Sequence, residues 1–152
     1  MLKQRDYQAA AEFFTKANKL DDDYWDAQNY LGYAYYSLGL QQKAEEAFQR
    51  AIDIDPENAV AYANLGIALL KKGDYALAEK CGDRALRLFP SLPQANALLG
   101  IIEINQHQWT ARAHKFLEEA APGIPAMSDI LRRWPTADQK GPKIMIMVST
   151  LR

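Results

Sequence analysis

Residues 25–58 and 59–92 carry the same marks at the same places, one fixed spacing apart. Leu31-Gly32 recurs as Leu65-Gly66, Gly39 as Gly73, Ala44 as Ala78, Ala51 as Ala85 and Pro56 as Pro90, each pair 34 residues apart. A constant period of that length is the sign of stacked supersecondary units, none of which buries its apolar face alone. It narrows the fold to a repeat array and turns the functional question from catalysis toward binding.

Each period holds two amphipathic stretches. The first runs from Trp25 to about Leu38, with Tyr24, Ala27, Leu31, Ala34, Tyr35 and Leu38 at helical spacing. Gly39 follows, a residue able to take positive φ and close the helix end. The second runs from Gln41 to Ile54, with Ala44, Ala47, Phe48, Ala51 and Ile52 on one stripe. Pro56 bars its continuation, because the residue before a proline is pushed out of helical geometry. Gly32, Ala44 and Ala51 let two antiparallel helices approach closely, and Tyr35 and Phe48 are expected to fill the space between.

An aromatic, Leu-Gly, a second aromatic, alanine, a third aromatic, alanine and a closing proline is a pattern that resembles the tetratricopeptide repeat (TPR). Residues 25–58 match it through Leu31, Gly32, Tyr35, Ala44, Phe48, Ala51 and Pro56, with Gln28 in place of the first aromatic. Residues 59–92 match through Leu65, Gly66, Ala78, Ala85 and Pro90; Gly82 replaces the late aromatic, which predicts a shallow void between neighbouring helices. The resemblance implies an all-α, right-handed superhelix, an α-solenoid of about three and a half helix-turn-helix repeats.

Outward from these two units the pattern frays. Residues 1–24 read as a partial repeat, a second helix without its first, with Ala10, Phe14 and Ala17 one period before Ala44, Phe48 and Ala51. Residues 93–126 read as a degenerate repeat that keeps Leu99, Gly100 and Phe116. There Glu103 and Arg112 fall on positions that face each other across a hairpin, which predicts a compensating ion pair. Ser128-Asp129 predicts the cap of a short helix over 127–134 that covers the last repeat. Residues 135–152 read as linker followed by an apolar, strand-like run from Lys143 to Ser149.

Composition removes several function classes. The 18 basic and 19 acidic side chains leave a formal charge of −1, which gives no pull toward nucleic acid or an anionic membrane. No apolar stretch reaches the roughly 20 residues that span a bilayer. One cysteine, Cys81, excludes an internal disulfide and fits a reducing, cytoplasmic setting. It stands in no constellation that would activate it and reads as a small apolar residue. Glu103 with His107 and His114 with Glu118 have the spacing of helical metal ligands but are not expected to converge. Asp21-Asp22-Asp23 lacks the alternation of a calcium loop. There is no phosphate loop, nucleophile elbow or carboxylate pair, so neither enzymatic activity nor a cofactor is expected.

The resemblance implies that first helices line a concave face where partners bind. Asn29, Tyr33 and Tyr36 are expected there from one unit, with Asp26 and Tyr30 beside them. The next unit is expected to give Asn64, Ile67, Leu70 and Lys71. The third is expected to give Ile101 and Asn105, with Gln94, Ala97, Leu98 and Ile104. TPR co-chaperones that grip a C-terminal carboxylate carry Lys, Arg and Asn on this face; here only Asn64 matches, so that subtype is not expected. The expected role is a protein-interaction module that holds a peptide or amphipathic helix of a partner in this groove. Two alternatives are a targeting arm of a larger enzyme, such as a glycosyltransferase-like domain starting near Lys143, and a scaffold that self-associates through its repeat ends or tail.

Overall fold

The computed structural model describes residues 2–21, 24–107 and 110–133. They form α1 (Leu2–Leu20), α2 (Trp25–Ser37), α3 (Gln41–Ile54), α4 (Ala59–Lys72), α5 (Tyr75–Leu88), α6 (Pro93–His107), α7 (Ala111–Ala120) and α8 (Pro125–Arg133). No strand occurs among the described residues. The expected linker and the run 143–149 lie outside them.

Local chemistry sets the helix ends. Gly39 and Gly73 take φ of 76° and 89°, the left-handed turn that closes α2 and α4. Asn58 and Asp74 cap α4 and α5 by accepting the backbone N–H of Ala61 and Leu77. The final helix departs from expectation: it begins at Pro125, three residues before the Ser128 cap foreseen for it. Proline is well suited to a first helical position, where its missing N–H costs nothing.

Consecutive helices pack antiparallel as α2–α3, α4–α5 and α6–α7, and each hairpin stacks on the next. The result is an all-α superhelix of stacked helix hairpins. Small residues set the closeness within each hairpin. A Cβ on Gly32 would sit 2.6 Å from the Phe48 ring, so glycine there lets that ring lie flat against α2. Between hairpins, Gln41 donates from α3 to the Ala68 carbonyl of α4 at 2.6 Å, and Lys72 pairs with Glu45 at 3.1 Å.

Two sequence expectations change here. Gly82 leaves no void on its inner side: the Leu99 side chain fills it, 2.8 Å from where a Cβ would stand, and Leu98 reaches over Gly66. The degenerate repeat proves to be a regular one with a slipped register. In α7 the buried residues are Ala113, Leu117 and Ala120, which follow Ala78, Gly82 and Ala85 at a spacing of 35. One added residue in the preceding turn moves the pattern, so Ala113, Leu117 and Ala120, rather than Arg112, Phe116 and Glu119, are the fully buried positions of α7. Leu117 lies over Gly100 as Phe48 does over Gly32, 2.8 Å from a Cβ built there.

Candidate functional site

The stacking is uneven, and the unevenness makes the site. α4 and α6 pack directly against each other, whereas α2 and α4 barely touch. Leu98 is the reason. It stands one period after Asn64 and, with no side chain at Gly66 or Gly82 to oppose it, sinks between the helices and is fully buried. At the equivalent places in the earlier units, Tyr30 is 52% exposed and Asn64 partly so. A groove of about 540 Å³ therefore opens between α2 and α4.

Tyr30 and Tyr33 of α2 form one wall and Val60 and Asn64 of α4 the other, above Tyr36 and Ile67. Trp25, Asp26 and Gln94 stand at the end where these helices begin, and Asn29 and Phe48 complete the lining. Residues 26, 30 and 33 lie on one helix face, since neighbours three and four apart share a face. Tyr30 and Tyr33 remain 52% and 42% exposed although each ring is braced by α1. Phe14 stacks on Tyr30 at 5.3 Å, and Tyr7 meets Tyr33 edge-on at 6.3 Å. Bracing of this kind fixes large apolar faces in place without covering them.

The sequence-predicted site residues divide on this geometry. Asn29, Tyr33, Tyr36, Asn64 and Ile67 line the groove together. Asn64 donates its side-chain amide to Asn29 Oδ1 at 2.9 Å, so the amides offered to a partner backbone tie α2 to α4 instead. Tyr36 and Ile67 are mostly buried and form the floor. Lys71 does not line the groove; its ammonium lies over the Tyr36 ring, 4.7 Å from the centroid. Leu70 and Ile101 are part of the core, Ile101 with no exposed surface, and neither can meet a partner. Asn105 is exposed beyond the groove, because the tight α4–α6 packing closes this face at the third unit. Val60 and Trp25 were not foreseen. Val60 shares the 34-residue register of Asp26 and Gln94, a signal the sequence did contain.

The foreseen pair forms: Arg112 reaches Glu103 at 3.3 Å and also Glu79 at 3.5 Å. Thr110 donates to the other Glu103 oxygen at 3.0 Å, so both oxygens of that carboxylate are engaged. His114 pairs with Glu118 one turn along α7. Among the described residues, no three His, Cys, Asp or Glu side chains gather as a metal site would need. No helix among them is long and apolar enough to cross a membrane.

A second groove, about 720 Å³, runs along the opposite face between α3 and α5. Leu65, Leu69, Leu77 and Cys81 line it under a rim of Glu46, Arg50 and Lys80. Burial, and secondarily the Asp74 carboxylate, pushes the Cys81 thiol up to about 11. A thiol held protonated in this way is a poor nucleophile near neutral pH.

Comparison with known proteins agrees with the fold. Residues 32–73 match the family described as TPR repeat, and residues 59–92 match tetratricopeptide repeat. No curated protein sequence matches the chain significantly. Among solved structures, MamA superposes with a TM-score of 0.67 at 23% identity, over 82% of this chain and 72% of that one. An O-GlcNAc transferase variant of Thermobaculum terrenum gives a TM-score of 0.69 at 22% identity, over 80% of this chain and 24% of that one. The APC/C hetero-tetramer Cut9-Hcn1 gives a TM-score of 0.73 at 19% identity, over 78% and 22%. At such identities the likeness is one of fold. This chain spans less than a quarter of the last two proteins.

Proposed function

We propose that this chain, whose tetratricopeptide repeats over residues 32–92 mark an interaction scaffold, is non-catalytic and seats a peptide or helix of a partner protein in the groove between α2 and α4. The observation that carries this reading is the exposure of Tyr30, Tyr33 and Val60 side by side in one groove. Core packing gives no reason for three large apolar side chains to gather in water, and clustered exposure of this kind marks binding faces. The mechanism is rigid display. Stacked hairpins, the Asn29–Asn64 strut and the α1 bracing hold the walls before the partner arrives, so the ordering cost falls on the partner. Aromatic anchors in a preformed groove supply the contact energy.

The test replaces exposed groove residues that lie outside the buried core. Tyr33→Ala with Val60→Ala removes exposed groove surface, whereas Ile67 and Leu70 are structural. In affinity capture from an extract of the source cells, the double variant should lose more than about 90% of the specifically captured partner, with helix content unchanged. Full capture by the double variant refutes the groove as the binding face.

A further inference from the structure

Charge is distributed along the groove in a way that specifies its occupant. Asp26 carries the one formal charge among the lining residues, at the end where α2 begins. Its carboxylate makes no hydrogen bond or ion pair with another side chain among the described residues. Gln94, in the same repeat register, lines that end as well, and its Oε1 is buried without a donor among the described residues. An unpaired carboxylate at one end of an aromatic groove, with the Gln94 amide beside it, calls for a group rich in N–H donors. An arginine side chain, or a lysine, supplies them, and Trp25 and Tyr30 line the groove beside Asp26.

A charge of the opposite sign stands just outside the other end, past the Tyr36 ring. Lys71 sits over Tyr36, with no carboxylate in ion-pair distance among the described residues, while Lys72 beside it is paired with Glu45. Between the two ends lie Asn29, Tyr30, Tyr33, Asn64 and Ile67, all uncharged. At a helical rise of about 1.5 Å per residue, Asp26 and the Tyr36–Lys71 end lie roughly 15 Å apart along α2. An extended chain covers that in about five residues.

Resting on the groove reading above, we infer that the occupant is a bipolar segment: a basic side chain at Asp26 and Gln94, an acidic one at Lys71, and uncharged apolar residues between. The two ends also fix its direction, because a reversed segment brings like charges together at both ends.

A randomised dodecapeptide phage pool panned on the whole chain, then on the Tyr33→Ala/Val60→Ala double variant, tests this. Peptides that bind only the unmodified groove should carry Arg or Lys and Asp or Glu in one constant order, about four to six residues apart. Asp26→Asn and Lys71→Gln should each weaken a selected synthetic peptide at least about tenfold in fluorescence anisotropy, with unfolding curves unchanged. A peptide with its charged ends exchanged should bind more weakly than the original by a similar factor. Groove-dependent peptides without the charge pattern, or affinities unmoved by both substitutions, overturn the bipolar segment and leave the groove reading standing. No groove-dependent peptide at all overturns both.

Discussion

The Leu98 side chain of α6 occupies the space over Gly66 of α4 that the Phe48 ring fills over Gly32 in the preceding hairpin. One hairpin is sealed by its own second helix, the other by the first helix of its neighbour. That exchange draws α4 and α6 together and leaves the gap between α2 and α4 as the open groove.

Gly66→Ala should therefore destabilise the array. Its methyl group would strike Leu98 and come within 3.2 Å of the Ala78 carbonyl, a backbone atom that cannot rotate away. The expected loss is about 1–3 kcal/mol, read in urea unfolding. Leu98→Ala alone should cost about 2–5 kcal/mol through the cavity it leaves. The double variant should lose less than the sum, because the alanine side chain at 98 makes room for the methyl at 66. Strict additivity would show that the two do not share space.

Arg112→Ala should cost no more than about 1 kcal/mol, since the guanidinium is half exposed and such pairs are worth little in water. Thr110 continues to hold Glu103 when the arginine is gone. Ala113→Asp should be far worse, because Ala113 is fully buried between α6 and α7. Thermal unfolding of the two variants checks which of these adjacent residues faces the core.

Asn58→Ala removes the side-chain acceptor for the Ala61 N–H at the start of α4. The expected cost is about 1 kcal/mol. Hydrogen exchange should show faster opening at the first turn of α4 and little change in α7; uniform acceleration along the array would contradict a local cap.

Cys81 gives stability a pH dependence of known sign. Its thiol is raised from 9.0 to about 11, so the unfolded chain releases that proton first. The contribution is fully present below about pH 9 and is lost as pH rises toward about 11. Cys81→Ala should flatten that part of the profile in denaturant titrations on either side of the window. The same burial predicts slow reaction with a disulfide reagent in the native state and rapid reaction in urea. Equal rates would contradict it.

Most of the fold was legible because its causes are local. The 34-residue marks, the glycine turns at 39 and 73, and the stripe from Ala44 to Ile52 each act within one hairpin. Two things were not legible at that level. The register of α7 depends on a single added residue before it, which makes Arg112 and Phe116 look like core positions although Ala113 and Leu117 take them. Which pair of first helices stays open depends on Leu98 meeting Gly66 and Gly82 across a repeat boundary, a three-body fit that no periodic alignment displays. The groove expectation therefore located the correct face at Asn29, Tyr33 and Asn64. It extended too far, to Ile101 and Asn105, where that fit has closed the surface.

The most direct test of the account maps a bound segment on the isotope-labelled chain by NMR, using the tightest groove-selected peptide. The account predicts shift changes centred on Tyr30, Tyr33, Val60, Asn64 and Ile67, with Asp26 and Lys71 marking the two ends. Changes centred instead on Leu65, Leu77 and Cys81, which line the groove on the opposite face, would contradict it.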